Sequence, residues 1–383
     1  MTEKECILQQ PYALWLHGVE RIGKAGAQKL LECFGSPKAV YEAGEKELSP
    51  LLTQGALESI LHARKKDVQG EYETLLKKGI SFVPFYHPLY PEKLYAIPDR
   101  PFGIFVKGSL PGKGEKSVAI IGARDCSEYG RYVAECFAGE LAGKGIRIIS
   151  GMARGIDGIA GRKALDAGGR TYAVLGCGVD ICYPPFHRDL YRGICEGGGV
   201  ISEYPPGTEP HPGLFPPRNR IISGLADAVL VIEARLKSGT LITVDMALEQ
   251  GREVYVVPGR ITDRLSDGCN RLLLQGAGAA LSPAQLIKEL SETVWKGQRQ
   301  NETTSSLPDN GKGHIEKLQA PEEALLHLLD FYPVSMEQLR LKMQSHKQLC
   351  GLSLQQTIEM LLKLGMEGLV KNEGGYYCLK TPL

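Results

Sequence analysis

Between residues 116 and 290, short apolar runs recur along the chain: SVAII, IRIIS, TYAVLG, GVISEY, AVLVIEA and EVYVVPG. Each is nearly continuous in Val, Ile and Leu instead of alternating with polar residues, as strands covered on both faces should be. Longer amphipathic or polar stretches separate most of them. The rhythm predicts an α/β domain built on a doubly wound parallel sheet of extended Rossmann-like type. In such sheets, ligands sit beyond the carboxyl ends of the strands, in the loops that lead into helices.

The flanks follow other patterns. Residues 10–80 place apolar side chains at three- and four-residue steps in AGAQKLLECFG, SPKAVYEAG and GALESILHARKKDVQGEYETLLKKG, which predicts helices. Ser36-Pro37 marks one helix start, the serine as cap and the proline at the first position. Residues 81–115 are rich in proline and aromatics and read as an ordered, extended lead-in closing in a turn. Residues 296–320 are polar with few large apolar residues, the composition of a linker. Residues 321–383 carry PEEALLHLLDFY and SLQQTIEMLLKLGMEG around a short middle helix, then two β-like runs joined by Glu373-Gly374-Gly375. Three helices and a small hairpin outline a winged helix. The expected division is a helical domain over 1–80, a core over 81–295, a linker over 296–320 and a winged-helix domain over 321–383.

Composition narrows the class. A chain of 383 residues is too long for one ordinary domain. With a net charge of only +1, any polyanion must be met by local basic patches, because the global balance gives no attraction. No charged-then-apolar leader and no long apolar run is visible, so no signal peptide, no membrane span and a cytoplasmic location are expected. The ten cysteines are scattered without a CxxC, which argues against both a zinc site and a disulfide scaffold.

The strand-end loops hold the candidate chemistry. After the first run comes GARDCSEYG, with Arg124 in a glycine turn. After the second comes SGMARGIDGIA, with Gly151 and Gly155 bracketing Arg154. The fifth run ends in EARLKSGTLIT, where Lys237 precedes Ser238 and Gly239 at a helix start. FPPRNRIISGL reads as a Pro-Pro turn delivering Arg218, Asn219 and Arg220 ahead of a buried segment. Guanidinium groups grip phosphate through paired hydrogen bonds, lysine adds a point charge, and glycine turns expose backbone N–H groups. The rim has no GxxxxGK[ST], and the GxG of GCGVDICY lacks its third glycine. No paired carboxylates, histidine cluster or nucleophile elbow accompanies the cations. Binding is therefore expected rather than turnover, with neither cofactor nor metal.

Structural roles compete with these assignments. Arg218 and Arg220 could pair with Glu203 or Glu233, and Asn219 could close a turn through its side chain. Asp157 stands where a helix-start acceptor belongs, His187 reads as a surface histidine, and Arg64, Lys65 and Lys66 as a solvated helix face.

The stretches GAR, SGMARGID, AVLGCGVDICYP, SEYPPGTEP, FPPRNRIISGLADAVLVIEA, KSGTLIT, ALEQGREVYVVPG and SDGCNRLLLQGA, in this order over about 120–280, resemble the DprA (Smf) family of DNA-processing proteins. GVERIGKAGAQKLLECFGSP is similar to the family's N-terminal SAM-like or helix-hairpin-helix domain, and LLKLGMEGLVKNEGGYY to the winged-helix tail of many members. The resemblance implies a homodimeric, ATP-independent binder of single-stranded DNA that hands the strand to the RecA recombinase in natural transformation. It implies DNA contacts at Arg124, Lys237 and the Arg218-Asn219-Arg220 set, with Gly151, Arg154, Ser238 and Gly239 on the same rim. Phe215, Tyr183 and Phe186 are candidates for stacking on bases. Where members commonly carry Ala-His, this chain has Ala160-Gly161.

Two other readings remain. Related α/β folds include phosphoribohydrolases of the lysine decarboxylase-like type, with a motif near PGGxGTxxE. Here KSGTLITVD puts Thr243 in place of the glutamate. A duplex-DNA regulator acting through the C-terminal helices is the other, and the few basic residues of SLQQTIEMLLKLGMEG count against it.

Overall fold

The structure, a computed structural model, describes residues 3–296, 320–331 and 333–380. The expected linker over 296–320 thus lies almost wholly outside the described residues. The chain divides into two compact units, the larger holding the N-terminal helices and a nine-stranded sheet.

The N-terminal helices are α1 (Glu3–His17), α2 (Lys24–Phe34), α3 (Pro37–Glu42), α4 (Glu45–Leu48), α5 (Gln54–Ala63) and α6 (Val68–Lys77). Ser36 caps α3 by accepting from the Ala39 N–H at 3.2 Å, with Pro37 at the first position, as the sequence predicts. Arg64 corrects the expectation of a solvated face: its Nη2 donates to the carbonyls of Val40 (2.9 Å) and Ala43 (2.8 Å), tying α5 to the end of α3. Leu16, Leu30, Leu48 and Ile60 share one apolar core with Phe82 and Phe105 of the sheet. The boundary expected at residue 80 is therefore no break in packing.

The strands are β1 (Ile80–Pro84), β2 (Gly103–Gly108), β3 (Ser117–Ile121), β4 (Arg147–Ser150), β5 (Thr171–Val174), β6 (Gly199–Ser202), β7 (Ala228–Val231), β8 (Glu253–Val256) and β9 (Gly278–Ala279). Their order is β1-β2-β6-β5-β4-β3-β7-β8-β9. All six apolar runs of the sequence became strands, and β3, β5, β6 and β7 are buried at every position. The lead-in over 81–115 contributes more than a connector: β1 and β2 form an antiparallel pair that joins β6 antiparallel, so the sheet is mixed at this edge. From β6 to β9 it is parallel throughout.

The crossover helices include α7 (Glu92–Tyr95), α8 (Glu128–Gly143), α9 (Ile156–Asp166), α10 (Arg188–Gly197), α11 (Phe215–Leu225), α12 (Gly239–Glu249), α13 (Asp267–Leu274) and α14 (Pro283–Thr293). Helix α11 corrects the Pro-Pro turn: Pro216 and Pro217 occupy first-turn positions, where a missing N–H costs nothing. Ile221, Ile222 and Leu225 press this helix onto the sheet beside Leu94, Ile97, Val229 and Val231. At the sheet's amino end, Oδ2 of buried Asp227 accepts from the Ser117 N–H (2.8 Å), Lys93 Nζ (2.8 Å) and Trp295 Nε1 (2.9 Å), which makes this carboxylate a brace.

The smaller unit contains α15 (Ala320–Leu328), α16 (Met336–Gln344), α17 (Leu354–Met366), and strands β10 (Val334–Ser335), β11 (Val370–Glu373) and β12 (Tyr376–Leu379). The strands form an antiparallel sheet in the order β10-β12-β11, turning at Gly374 and Gly375, both at positive φ. Leu325, Leu339, Leu361 and Leu364 form its core. Among the described residues, no helix is long and apolar enough to cross a membrane.

Candidate functional site

Strand β3 is the point where the parallel sheet reverses its winding, with β4 on one side and β7 on the other. The loops that leave these strands diverge over their carboxyl ends, and a crevice opens there. A cleft of about 620 Å³ fills this place, walled by the turn after β3, the loop after β4, helix α11 and the start of α12.

Its cations fall into two groups. Arg124, Arg235 and Lys237 line the cleft and are exposed. Among the described residues none of the three has an ion pair or hydrogen bond, and Arg124 lies 6.0 Å from the Phe215 ring centroid. Arg218 also lines the cleft, yet its guanidinium is buried and donates to the carbonyls of Gly151 (3.0 Å) and Val174. Burial pulls its pKa down to about 10, while the Asp157 carboxylate acts in the opposite direction. Arg218 Nε donates to Asn219 Oδ1 at 3.2 Å, so Asn219 sits on a helix and braces its neighbour instead of closing a turn.

Two arginines of the sequence-based set do not present themselves to the cleft. Arg220 is held by acidic neighbours: Nη2 donates to both oxygens of Glu203 at 2.8 Å, and Nε meets Asp99 at 2.9 Å. This is the Glu203 pairing weighed as the alternative. Arg154 does not line the cleft and pairs at the surface with Asp125, which does.

The glycines and the helix start have separate duties. Gly151 is buried, and its N–H donates to Asp157 Oδ2 at 2.9 Å, so that N–H is not available to a ligand. A Cβ at Gly151 would lie 2.8 Å from Arg218 Nη2; the glycine makes room for that guanidinium. Gly155 has φ 78°, and a Cβ there would meet the Ala123 carbonyl at 2.3 Å, so the glycine lets the β3 and β4 loops touch. Asp157 is not the helix cap expected: it folds back to hold the loop at Gly151 and Ala153, and burial raises its pKa against the pull of Arg218. Ser238 caps α12 by accepting from the Thr240 N–H at 3.2 Å, and Gly239 leaves the first turn of that helix open at the cleft.

Two of the three aromatic candidates meet. The Tyr183 and Phe215 rings stack with centroids 5.6 Å apart and planes 19° from parallel, and both line the cleft. Phe186 is 65% exposed and does not line it. Its neighbour His187 corrects the surface reading: Nδ1 lies 3.1 Å from the Met152 carbonyl and the ring covers Gly158. Gly161, at the place of the family's usual histidine, faces Leu190 and Ile194. The sequence reading missed Arg235, although it lies two residues from Lys237 in the same loop. Thr243 is buried in the cleft wall on α12.

This arrangement suits an anionic chain with flat, apolar side groups. Unpaired cations meet phosphates, and the Tyr183 ring beside them, 39% exposed, offers stacking surface. Residues 81–291 match the family described as DNA recombination-mediator protein A. The chain is 39% identical to Protein Smf of Escherichia coli over 62% of its own length and 64% of that protein, just under two thirds of the relative. It is 36% identical to the DNA processing protein DprA of Bacillus subtilis, over 67% of this chain and 91% of that one. The solved structure of DprA from Streptococcus pneumoniae superimposes with a TM-score of 0.65 at 32% identity, covering 73% of this chain and 97% of that one. A structure of DNA processing protein A from Helicobacter pylori, described for its single-stranded DNA binding mode, gives a TM-score of 0.50 at 30% identity over 56% of this chain and 96% of that one.

Proposed function

The chain belongs to the DNA recombination-mediator protein A family, and on that premise we propose that its cleft binds the backbone of single-stranded DNA. One observation carries the reading: Arg124, Arg235 and Lys237 face a single cleft and, among the described residues, make no ion pair or hydrogen bond, beside the stacked Tyr183 and Phe215. A cation left without a partner keeps its full capacity for phosphate, whereas the buried Arg220 has surrendered its own to Glu203 and Asp99. Arg218 serves from beneath, fixing the α11 wall and adding positive potential to the floor.

The binder acts without turnover and hands its strand to a RecA-type recombinase in DNA recombination during transformation, as a cytoplasmic homodimer. What supports a non-catalytic role is the α12 wall, where a carboxylate would stabilise a ribosyl cation and Thr243 stands instead. The division into a helical domain over 1–80, a core over 81–295 and a winged-helix domain over 321–383 belongs to the same proposal. The C-terminal unit serves protein contact.

Fluorescence anisotropy with labelled oligo-dT and with its duplex, at two salt concentrations, tests the reading. The single strand is expected to bind more tightly, with an affinity that falls as salt rises. Equal affinity for duplex and single strand, or release of adenine from AMP, would overturn it.

A further inference from the structure

A fourth cation on the same rim packs on aromatic rings and, among the described residues, makes no ion pair. The guanidinium of Arg100 sits in the corner made by two neighbouring rings, 4.4 Å from the centroid of Tyr95 and 4.9 Å from that of Phe85, whose centroids are 6.5 Å apart. Among the described residues it has no hydrogen bond and no ion pair. A guanidinium carries five donors in a fixed fork, and contact with two rings limits the freedom that would otherwise be lost on binding. Tyr95 is 49% exposed, so one of these two rings is open to solvent.

The position follows from the antiparallel hairpin that the sequence reading treated as a connector. Gly103 pairs with Pro84, and Phe105 pairs with Ser202, so the end of β1 and the start of β2 lie at the carboxyl end of β6. Arg100 and Phe85 therefore stand on the rim that bears the cleft. Four strand steps separate β2 from β3 in the sheet, a distance of roughly 19 Å at the usual spacing. Helix α11 spans the interval: Phe215 and Arg218 face the cleft, while Arg220 Nε donates to the carbonyl of Asp99, next to Arg100, at 2.7 Å. The acids between the two places are answered. Asp99 pairs with Lys24 and Arg220, and Glu203 pairs with Arg220.

Building on the cleft reading, we infer that Arg100, with Tyr95 and Phe85, is a second phosphate clamp and stacking platform for the same single strand. A strand seated in the cleft crosses the outer end of α11 and meets Arg100 some nucleotides further on. The footprint is several nucleotides long, as grooves for single strands commonly are. Affinity then rises with oligonucleotide length beyond what the cleft alone provides.

Displacement titrations with dT4 and dT20, at two salt concentrations, test this. A four-nucleotide strand at stacked spacing covers roughly 10 Å and fills the cleft only. Arg100→Ala is expected to weaken dT20 binding about threefold to tenfold and to lower its salt slope by about 0.7, one phosphate contact, while dT4 binding is unchanged. Arg100→Gln, which keeps stem packing, is expected to behave alike. If wild type binds and Arg124→Ala weakens both lengths, yet Arg100→Ala leaves dT20 untouched or weakens both equally, the second clamp is overturned and the cleft stands. If wild type fails to bind either strand, both fall. On wild-type protein, photocrosslinking of dT20 carrying 5-iodouracil is expected to label the peptide containing Tyr95. Labelling confined to the peptides of Tyr183 and Phe215 would overturn the clamp.

Discussion

Arg220 gives one nitrogen, Nη2, to both carboxylate oxygens of Glu203 at 2.8 Å, with only 8% of its side chain exposed. Arg218, two residues earlier, turns to the opposite side of the helix and faces the cleft. Residues two apart on an α-helix are separated by about 200°, so neighbouring arginines of one motif take different work.

Removing the buried Arg220 leaves the partly buried Glu203 without its cation and the Asp99 carbonyl without its donor. Arg220→Ala is expected to destabilise the protein by about 3 kcal/mol, read as a lower denaturation midpoint. Arg154→Ala, which breaks an exposed pair with Asp125, should cost less than about 1 kcal/mol. Equal losses from both would contradict the division into engaged and surface arginines.

The unpaired cations should report on DNA alone. Arg124→Ala and Lys237→Ala are each expected to weaken oligo-dT binding across sequences and to reduce the salt slope by about 0.7, with an unchanged melting temperature. Wild-type affinity in both variants would mean that the cleft is not where the strand sits.

Gly155 couples two loops through a conformation that side chains rarely adopt. Gly155→Ala places a Cβ 2.3 Å from the Ala123 carbonyl and 2.5 Å from that of Arg124. The expected result is a loss of about 1–3 kcal/mol in stability together with weakened strand binding, because the turn bearing Arg124 must move. Urea denaturation and anisotropy on the same preparation measure the two effects.

His17 supplies a pH dependence whose sign is fixed by burial. The ring lies among Phe82, Phe102 and Phe105, and Nε2 donates to the Glu203 carbonyl at 3.0 Å. Burial lowers its pKa below 6.5, with the nearby Glu203 opposing. The unfolded chain therefore takes up a proton near pH 6.5 that the folded chain refuses. This contribution to stability is fully present above that pH and is lost as pH falls through the folded value, at up to about 1.4 kcal/mol per pH unit. Denaturation of His17→Gln against wild type between pH 7.5 and 5 should show a flatter profile for the variant.

The strands and their loops were legible because burial on both faces leaves an unmistakable signature: six continuous apolar runs, with glycine and cation positions in the loops after the first, second and fifth. Position in the chain was enough to assign Arg124, Lys237, Ser238 and Gly239 to one rim. The first turn of α11 was missed because two prolines suit a turn and a helix start alike. Strands β1 and β2 were missed because proline and aromatic residues blur their period.

The sequence by itself determined which residues lie in the strand-end loops of one rim, since strand positions and the loops that leave them follow from local pattern and chain connectivity. Only the tertiary structure decided which of those residues remain available. Whether a cation meets Glu203, Asp99 or Asp125, or faces open solvent as Arg124 and Lys237 do, depends on the direction of each side chain and on residues far away in the chain. Spacing along the chain carries no record of either.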